Sequence, residues 1–381
     1  MGNSLHENHR GLIAGKNALT RLELFPTKYA ETRYFGEVKL TDENLRKELV
    51  LTDKGISRTS LLALKAMSEA ITHSQLQNSR LESKNTAIIG ANTVGGMCHT
   101  SEFLHDSTSL DNPSIYISSY DNGSVTRFLQ NQFGIKGISN TINTACSSGA
   151  NAIAYGAELI NAGLADRAIV GGVDTLAKFT INGFNSLHIL SPEICRPFDN
   201  FRQGLNLGEA AAFLVLEKEE DAIGKEIYGL LTGWSNTNDA YHASSISDNG
   251  DGPYLAMKRA LEMAELQPSG ISYVNAHGTA TENNDITESR AMMRLFENVP
   301  PFSSTKSYIG HTLGAAGAVE AVYSLLSLKH QELYPNLQFE EAIPETGLLP
   351  VKQYQRAEVR HVLSNSFGFG GNCSSLIFSA V

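Results

Sequence analysis

The chain has 381 residues, 41% of them hydrophobic, with 30 Lys and Arg against 40 Asp and Glu and a formal net charge of −10 at pH 7. That is enough apolar sequence for a large core in one or two domains, and the acidic balance argues against nucleic acid or an anionic membrane as the main partner. No apolar run approaches the roughly 20 residues of a membrane helix. The polar start MGNSLHENHRG has no signal-peptide core, and His6 stands where a myristoylation motif wants Ser or Thr. Cys98, Cys146, Cys195 and Cys373 show no close pairing, which fits a reducing cytoplasm.

In chain order, residues 28–75 read as mixed strand and helix, YFGEVKL followed by TSLLALKAMSEAIT. TAIIGANTVGG is an apolar strand ending in glycines, with a helix expected around 114–133. GISNTINTA is a β-branched, strand-like approach to Cys146, after which small residues open a helix-like run. RAIVGGVDT and AAAFLVLEK are short apolar strands of the kind buried on both faces. From about Ile223 the pattern restarts with IYGLLTGWS, a helix at 253–265, the strand YVNAHGT and a helix at 285–297. A loop carrying Lys306 and His311 then leads into a helix dense with Gly and Ala, and SNSFGFGGNCSSLIF closes the chain.

Cys146 is the first candidate for chemistry. A thiol at a strand-to-helix junction faces free main-chain N–H groups and the positive end of the helix, which favour thiolate. Ser147, Ser148, Gly149 and Ala150 leave room for a substrate. A buried cysteine in such a turn is also common, so the residue alone does not decide. His277 and His311 each follow strand-like or apolar residues and precede Gly or Thr, as expected where a strand ends in a site loop. Taken singly, a His in HGT is more often a hydrogen-bonded loop residue, and Lys306 would usually be a surface charge. The glycine-rich turn with Phe367 and Phe369 can bring main-chain N–H groups up to a ligand. It lacks the following acid that a dinucleotide fold would need.

Together and in this order, NTACSSG, RPFDNFRQGLNLGEAAAFLVLE, VNAHGTAT, SSTKSYIGHTLGAAGAVE and NSFGFGG resemble the type II β-ketoacyl-ACP synthases, the Cys-His-His condensing enzymes of the thiolase superfamily. The resemblance runs from Asn3 to the last residue. It implies an α/β thiolase-like fold, with two pseudo-symmetric halves in five αβαβα layers. Residues 1–222 would form the half with a cap insertion (28–75) and the nucleophile, and 223–381 the half with the His/Lys/His loops. The implied reaction is a decarboxylative Claisen condensation of an acyl-enzyme with malonyl-ACP. Cys146 would carry the acyl chain, and the backbone N–H groups of Cys146 and Phe369 would hold the oxyanion. His277 and His311 would stabilise the enolate, with Lys306 holding charge around them and Glu288 as its counterpart. Glu320 matches the family's other buried carboxylate. Phe367 would lie against the malonyl carboxylate, Phe369 would gate the acyl tunnel, and Asp239 and His242 match a mobile loop that touches the gate. No cofactor and no metal are implied. The implied partner is acyl carrier protein, docked on a basic patch such as Arg46 with Lys47 or Arg58 with Lys65. A homodimer through ISNTINT is expected, with a heterodimer as the alternative.

Several features depart from the family pattern. Members normally open with a strand and Gly turn ahead of the GNS-like segment, and this chain begins at MGNS. That strand is expected inside the first sheet, so its absence should leave a gap rather than a trimmed edge. Either the start codon is misplaced, the reading favoured, with a stability cost in that half, or the sheet is rebuilt from another segment. After the GFGG turn, Asn372 and Cys373 replace the usual Thr-Asn, which puts the loop geometry in question. YIGHTLG and GTATENND lean toward synthases of aryl-polyene, flexirubin or similar pathways rather than the housekeeping fatty-acid enzyme. The main alternative is a non-catalytic or partner-dependent subunit of the chain-length-factor kind. A degradative thiolase would want a second cysteine in a CxG setting, which Cys373 lacks, and an initiating synthase would carry Asn in place of His311.

Overall fold

The computed structural model describes residues 1–109 and 113–381. The first half opens with α1 (Leu5–Ile13), whose N-cap Ser4 accepts a hydrogen bond from the N–H of Glu7. Next come α2 (Asp42–Glu48) and α3 (Arg58–Ser74), capped in the same way by Thr41 and Ser57. The short α4 (Asn78–Leu81) leads into β1 (Thr86–Ala91), buried along its whole length. α5 (Thr100–Ser109) lies on the surface, and α6 (Gly123–Gln132) precedes β2 (Ser139–Ile142). Then follow α7 (Ser148–Asn161), β3 (Arg167–Asp174), α8 (Lys178–Ser186) and β4 (Ala210–Glu217).

The second half repeats the plan. β5 (Leu230–Asn238), α9 (Asp251–Met263), β6 (Tyr273–Asn275), α10 (Glu282–Leu295) and β7 (Phe302–Ser303) lead to the one-turn α11 (Lys306–Ile309). α12 (Ala316–His330) follows, then a two-residue ribbon of β8 (Glu332–Leu333) and β9 (Gln355–Arg356). The hairpin of β10 (His361–Gly368) and β11 (Asn372–Ser379) ends the chain.

The first sheet has the order β2-β1-β3-β4 and the second β5-β11-β10-β6-β7. In each, the strand after the crossovers turns back antiparallel, β4 on β3 and β11 on β10. α7 and α12 lie together between the two sheets, α3 and α6 cover the outside of the first, and α9 and α10 cover the second. This is the five-layer αβαβα arrangement of the thiolase-like fold. Residues 28–75 do not form a separate cap. α3 buries Leu61, Leu62, Leu64, Met67 and Ile71 against the first sheet, so it is one of the fold's own layers.

The two central helices touch through glycine. A Cβ on Gly149 would stand 2.6 Å from the main-chain nitrogen of Ala318, and one on Gly317 would stand 2.6 Å from that of Ala150. No side chain fits between them, so α7 and α12 cross backbone to backbone near their N-termini.

The first sheet ends at β4 in a free edge rather than in the internal gap expected, and among the described residues no strand pairs with the outer side of β4. The repeat explains why: in the second half the corresponding strand, β5, is itself an edge, antiparallel to β11. The equivalent place lies outside β4. There β4 is only half-buried along most of its length, whereas β11 is buried. A groove of about 1390 Å³ runs beside it, walled by Leu62 and Ala66 of α3 on one side and Val319 and Tyr323 of α12 on the other. Met1, Ala210 and Ala212 all pack against the apolar cluster of Leu12, Val319 and Tyr323 at one end of this groove. An eight-residue apolar strand fused ahead of Met1 is therefore expected to raise Tm by about 3 °C or more. A polar strand of equal length should leave it unchanged; thermal unfolding followed by circular dichroism reads the difference.

Candidate active site

The nucleophile's turn is strained. Ala145 is held at a φ of 53°, a conformation that L residues with a side chain rarely adopt. The N–H and hydroxyl of Ser148 both donate to the Ala145 carbonyl, at 3.1 and 2.6 Å, and fix the turn. Cys146 follows, 6% exposed, two residues ahead of α7. Gly368 comes within van der Waals contact of this turn because it has no side chain; a Cβ there would be 2.7 Å from the Thr144 carbonyl.

His277 lies just beyond β6. Its N–H and that of Gly278 donate to the two oxygens of Glu288 on α10, at 2.9 and 2.8 Å. Lys306 is wholly buried at the start of α11. Its ammonium donates to His277 Nδ1 at 3.2 Å and to the His277 carbonyl at 2.6 Å, and forms an ion pair with Glu320 on α12. The counterpart of Lys306 is thus Glu320, not Glu288, which is occupied with the His277 backbone. His311 follows Gly310, whose φ is 76°. The N–H of Leu313 donates to His311 Nδ1 at 3.3 Å.

These contacts fix both imidazole tautomers. An ammonium and a main-chain N–H can only donate, so each Nδ1 accepts and each Nε2 carries the proton. The two rings stand nearly perpendicular, with centroids 5.4 Å apart. One ligand atom from each of Cys146, His277 and His311 falls within 4.8 Å of the others. That triangle has the size of a metal site, but it offers N–H groups rather than lone pairs and has an ammonium beside it. The chemistry of the set favours binding an anion.

Burial pushes the Cys146 thiol up to about 11, with the charge of Lys306 and the N–H of Phe369 pulling the other way. The expected thiolate is therefore not the resting form: desolvation outweighs the stabilising groups. Both histidines lie well below the usual imidazole range, through burial first and then the Lys306 charge. They stay neutral. Glu320 is raised by burial against the pull of Lys306, and Glu288 is pushed up to about 7.

The remaining candidates divide. Phe367 is buried with its ring 5.6 Å from that of His277. Phe369 is half-exposed and stacks on Phe184 at 5.9 Å, above an apolar pocket of about 260 Å³ that reaches Cys146 past Thr93, Val94, Met97 and Leu313. Asp239 touches the glycine turn through its own N–H, which donates to the Gly371 carbonyl at 2.8 Å. Its carboxylate is committed to Ser247 and Gly252. His242 is exposed and accepts from the N–H of Ser244 within its own loop; it is Ala243 whose carbonyl receives the Gly370 N–H. The turn is braced despite the substitution at 372. Asn372 Oδ1 accepts from Ser147 Oγ at 2.6 Å and from the amides of Asn151 and Asn236 at 3.0 Å each.

Arg58 is not available for docking. It is buried, with two nitrogens on Glu209 and a third on Asp42. Sequence reasoning passed over Asp174 and Phe184. The signal for Asp174 was present: an acid ending the otherwise apolar run RAIVGGVD, in a strand buried on both faces.

A thiol and two neutral N–H donors gathered where two thiolase-like halves meet suit carbon–carbon condensation through a thioester. The N-terminal domain model of the beta-ketoacyl synthases matches residues 1–222, and the C-terminal domain model matches residues 228–340. The chain is 33% identical to 3-oxoacyl-[acyl-carrier-protein] synthase 2 of Synechocystis, over 99% of this chain and 94% of that one. Among solved structures, a ketosynthase in complex with its chain length factor from Xenorhabdus doucetiae is 34% identical, with a TM-score of 0.85, covering 100% of this chain and 95% of that one. The ishigamide ketosynthase/chain length factor superposes with a TM-score of 0.94 at 27% identity, covering 100% and 96%. The chain belongs to the β-ketoacyl synthases and is a chain-elongating condensing enzyme.

Truncating Glu320 to Ala leaves a buried ammonium unpaired and is expected to cost about 3–5 kcal/mol of stability. Replacing Lys306 and Glu320 together by Met should cost less than that single change; urea denaturation of both variants measures it. Alkylation of Cys146 by iodoacetamide should keep rising toward alkaline pH, following a thiol near 11. Lys306→Ala should move the rise to still higher pH, because the ammonium stabilises the thiolate.

Proposed function

We propose that Cys146 takes an acyl chain from acyl carrier protein and that His277 and His311 then drive decarboxylation of malonyl-ACP on the same site. In the first step the Cys146 sulfur attacks the thioester carbonyl, and the carrier's thiol leaves with the proton that Cys146 loses. The N–H groups of Cys146 and Phe369 hold the oxyanion, each worth about 3 kcal/mol in sites of this kind. In the second step the malonyl carboxylate departs as carbon dioxide, and negative charge builds on the thioester oxygen. The two Nε2–H groups face that charge. The enolate carbon attacks the acyl-Cys146 carbonyl, the C–S bond breaks, and the Cys146 sulfur takes up a proton. The product is a 3-oxoacyl chain two carbons longer.

Lys306 moves no proton in this scheme. It keeps the His277 lone pair on Nδ1, so that Nε2 remains a donor. Phe367 presents an apolar ring to the carboxylate, which disfavours its charged form and favours its loss. The observation that carries the reading is the shared tautomer of the two histidines.

Several finer points rest on the same reading. The halves divide at 1–222 and 223–381. Asp239 and the loop carrying His242 support the Phe369 gate. The exposed edge strand β2 suits a dimer, either of two copies or with a second subunit as in the complexes that the solved relatives form. The protein works in the cytoplasm. The wording of YIGHTLG and GTATENND supports a role in an aryl-polyene, flexirubin or similar pathway rather than in housekeeping fatty-acid synthesis.

Intact-mass spectrometry tests the scheme. Octanoyl-ACP should leave an octanoyl adduct on the protein, absent in Cys146→Ala, and malonyl-ACP should discharge it. His277→Ala and His311→Ala should still acquire the adduct and lose decarboxylation by about 10²–10³. An adduct that malonyl-ACP cannot discharge would point to a required second subunit. No adduct, with octanoyl and polyene-type chains alike, would overturn the reading.

A further inference from the structure

Asp174 ends β3, the strand at the heart of the first sheet, and is fully buried. It has no role in the scheme above, yet its carboxylate collects donors from both halves of the molecule. Oδ1 accepts from the N–H of Val94 at 2.8 Å and Oδ2 from the Thr93 hydroxyl at 2.6 Å; the Thr93 N–H lies 3.0 and 2.9 Å from the two oxygens. Oδ2 also accepts from the N–H of Gly314 at 2.7 Å. Thr93 and Val94 follow β1 in the first half; Gly314 lies in the turn between His311 and α12 in the second. Among the described residues no Lys or Arg pairs with it, and burial pushes the carboxyl up to about 6. A buried carboxylate held only by dipoles is costly to keep, so its contacts call for a reason.

The reason lies one residue from Gly314. Leu313, at a φ of 52°, occupies a strained conformation. Its N–H makes the hydrogen bond to His311 Nδ1 that puts the imidazole proton on Nε2. The Gly314 N–H is anchored on Asp174, so the peptide that follows Leu313 is fixed in space. The approach is close enough to demand glycine: a Cβ on Gly314 would stand 2.8 Å from Asp174 Oδ2. β3 closes in from the same side, since a Cβ on Gly172 would be 2.9 Å from the Gly314 carbonyl. We propose that Asp174 is a positioning residue that clamps the Leu313–Gly314 turn and thereby holds His311 as the Nε2–H tautomer needed to meet the enolate oxygen.

The same carboxylate sets the Thr93–Val94 wall of the acyl pocket, so the acyl-chain side and the malonyl side are tied to one group from opposite halves. This deepens the reading of His311 given above and rests on it. The clamp is a matter of hydrogen-bond acceptance, which predicts how an isosteric change acts. In Asp174→Asn one oxygen becomes an NH₂ group, and it must oppose either the Val94 N–H on the Oδ1 side or the Gly314 N–H on the Oδ2 side.

The test uses full-length protein labelled with ¹⁵N-histidine, with NMR to read the His311 tautomer and malonyl-ACP decarboxylation to read the chemistry. In the wild type, His311 should show a protonated Nε2 and a bare Nδ1. In Asp174→Asn, and independently in Gly314→Ala, it should show a mixture of tautomers. kcat for decarboxylation should fall about tenfold or more, with KM for malonyl-ACP little changed. Gly314→Ala keeps the carboxylate and so decides the matter if the Asn variant fails to fold. An unchanged tautomer in both variants overturns the proposal, whether or not the rate falls, because a fall without it is general damage. If His311→Ala itself leaves decarboxylation intact, the role given to His311 fails, and the tautomer still judges the clamp.

Discussion

The crossing of α7 and α12 is the constraint from which the site follows. Gly149 and Gly317 let the two helices meet backbone to backbone, each glycine facing the main chain of the other helix. Because the contact falls in the first turn of both, the loops that feed the helices are brought together as well. Cys146 precedes α7 by two residues and His311 precedes α12 by five. A larger residue at either glycine would force the two helices apart, and with them the loops that carry the thiol and the imidazole. The duplication of the chain thus does more than enlarge the core. It aims two helix N-termini at one spot, and under the proposed scheme that spot is where negative charge develops.

Around that crossing, buried carboxylates hold loop backbones in place. Glu288 takes the N–H groups of His277 and Gly278; Asp174 takes those of Thr93, Val94 and Gly314; Asp285 takes those of Phe198 and Ala280. Glu209 adds the N–H groups of Val38 and Leu176 to its pair with Arg58. A carboxylate can accept several main-chain donors at once, which neutral side chains do less well. Loops pinned in this way need little water to satisfy their polar groups, which suits an interior where an acyl-enzyme must survive hydrolysis.

Much of this was legible in the chain. RAIVGGVDT and AAAFLVLEK read as strands buried on both faces; the first forms β3, buried throughout, while the second forms β4, which is only half-buried because it lies at the edge of its sheet. The helices expected at 253–265 and 285–297 form at Asp251–Met263 and Glu282–Leu295. What escaped depends on partners distant in sequence. That β4 ends the first sheet with a free edge depends on which strand pairs with it, and the second sheet shows the equivalent position, next to β11, to be an edge. Whether Lys306 meets Glu288 or Glu320 turns on how α10 and α12 are rotated, which spacing does not encode. The Cys146 thiol was read from its helix terminus alone, while the depth of its burial is a property of the assembled halves. Arg58, one residue past an N-cap, looked like surface charge and is the centre of a buried pair.

The Lys306–Glu320 pair also sets how this scaffold can change its trade. Losing either charge alone strands the other in the interior, so a lineage cannot drift away from the reaction at that point without first passing through a poorly folded intermediate. Cys146 carries no such obligation. It is a small apolar thiol that belongs to no ion pair, and under the proposed scheme exchanging it for another small residue would silence the chemistry while the fold stands. A gene copy of such an enzyme therefore has an easy path to becoming a silent companion subunit, and that path begins at the nucleophile with the charged pair left in place.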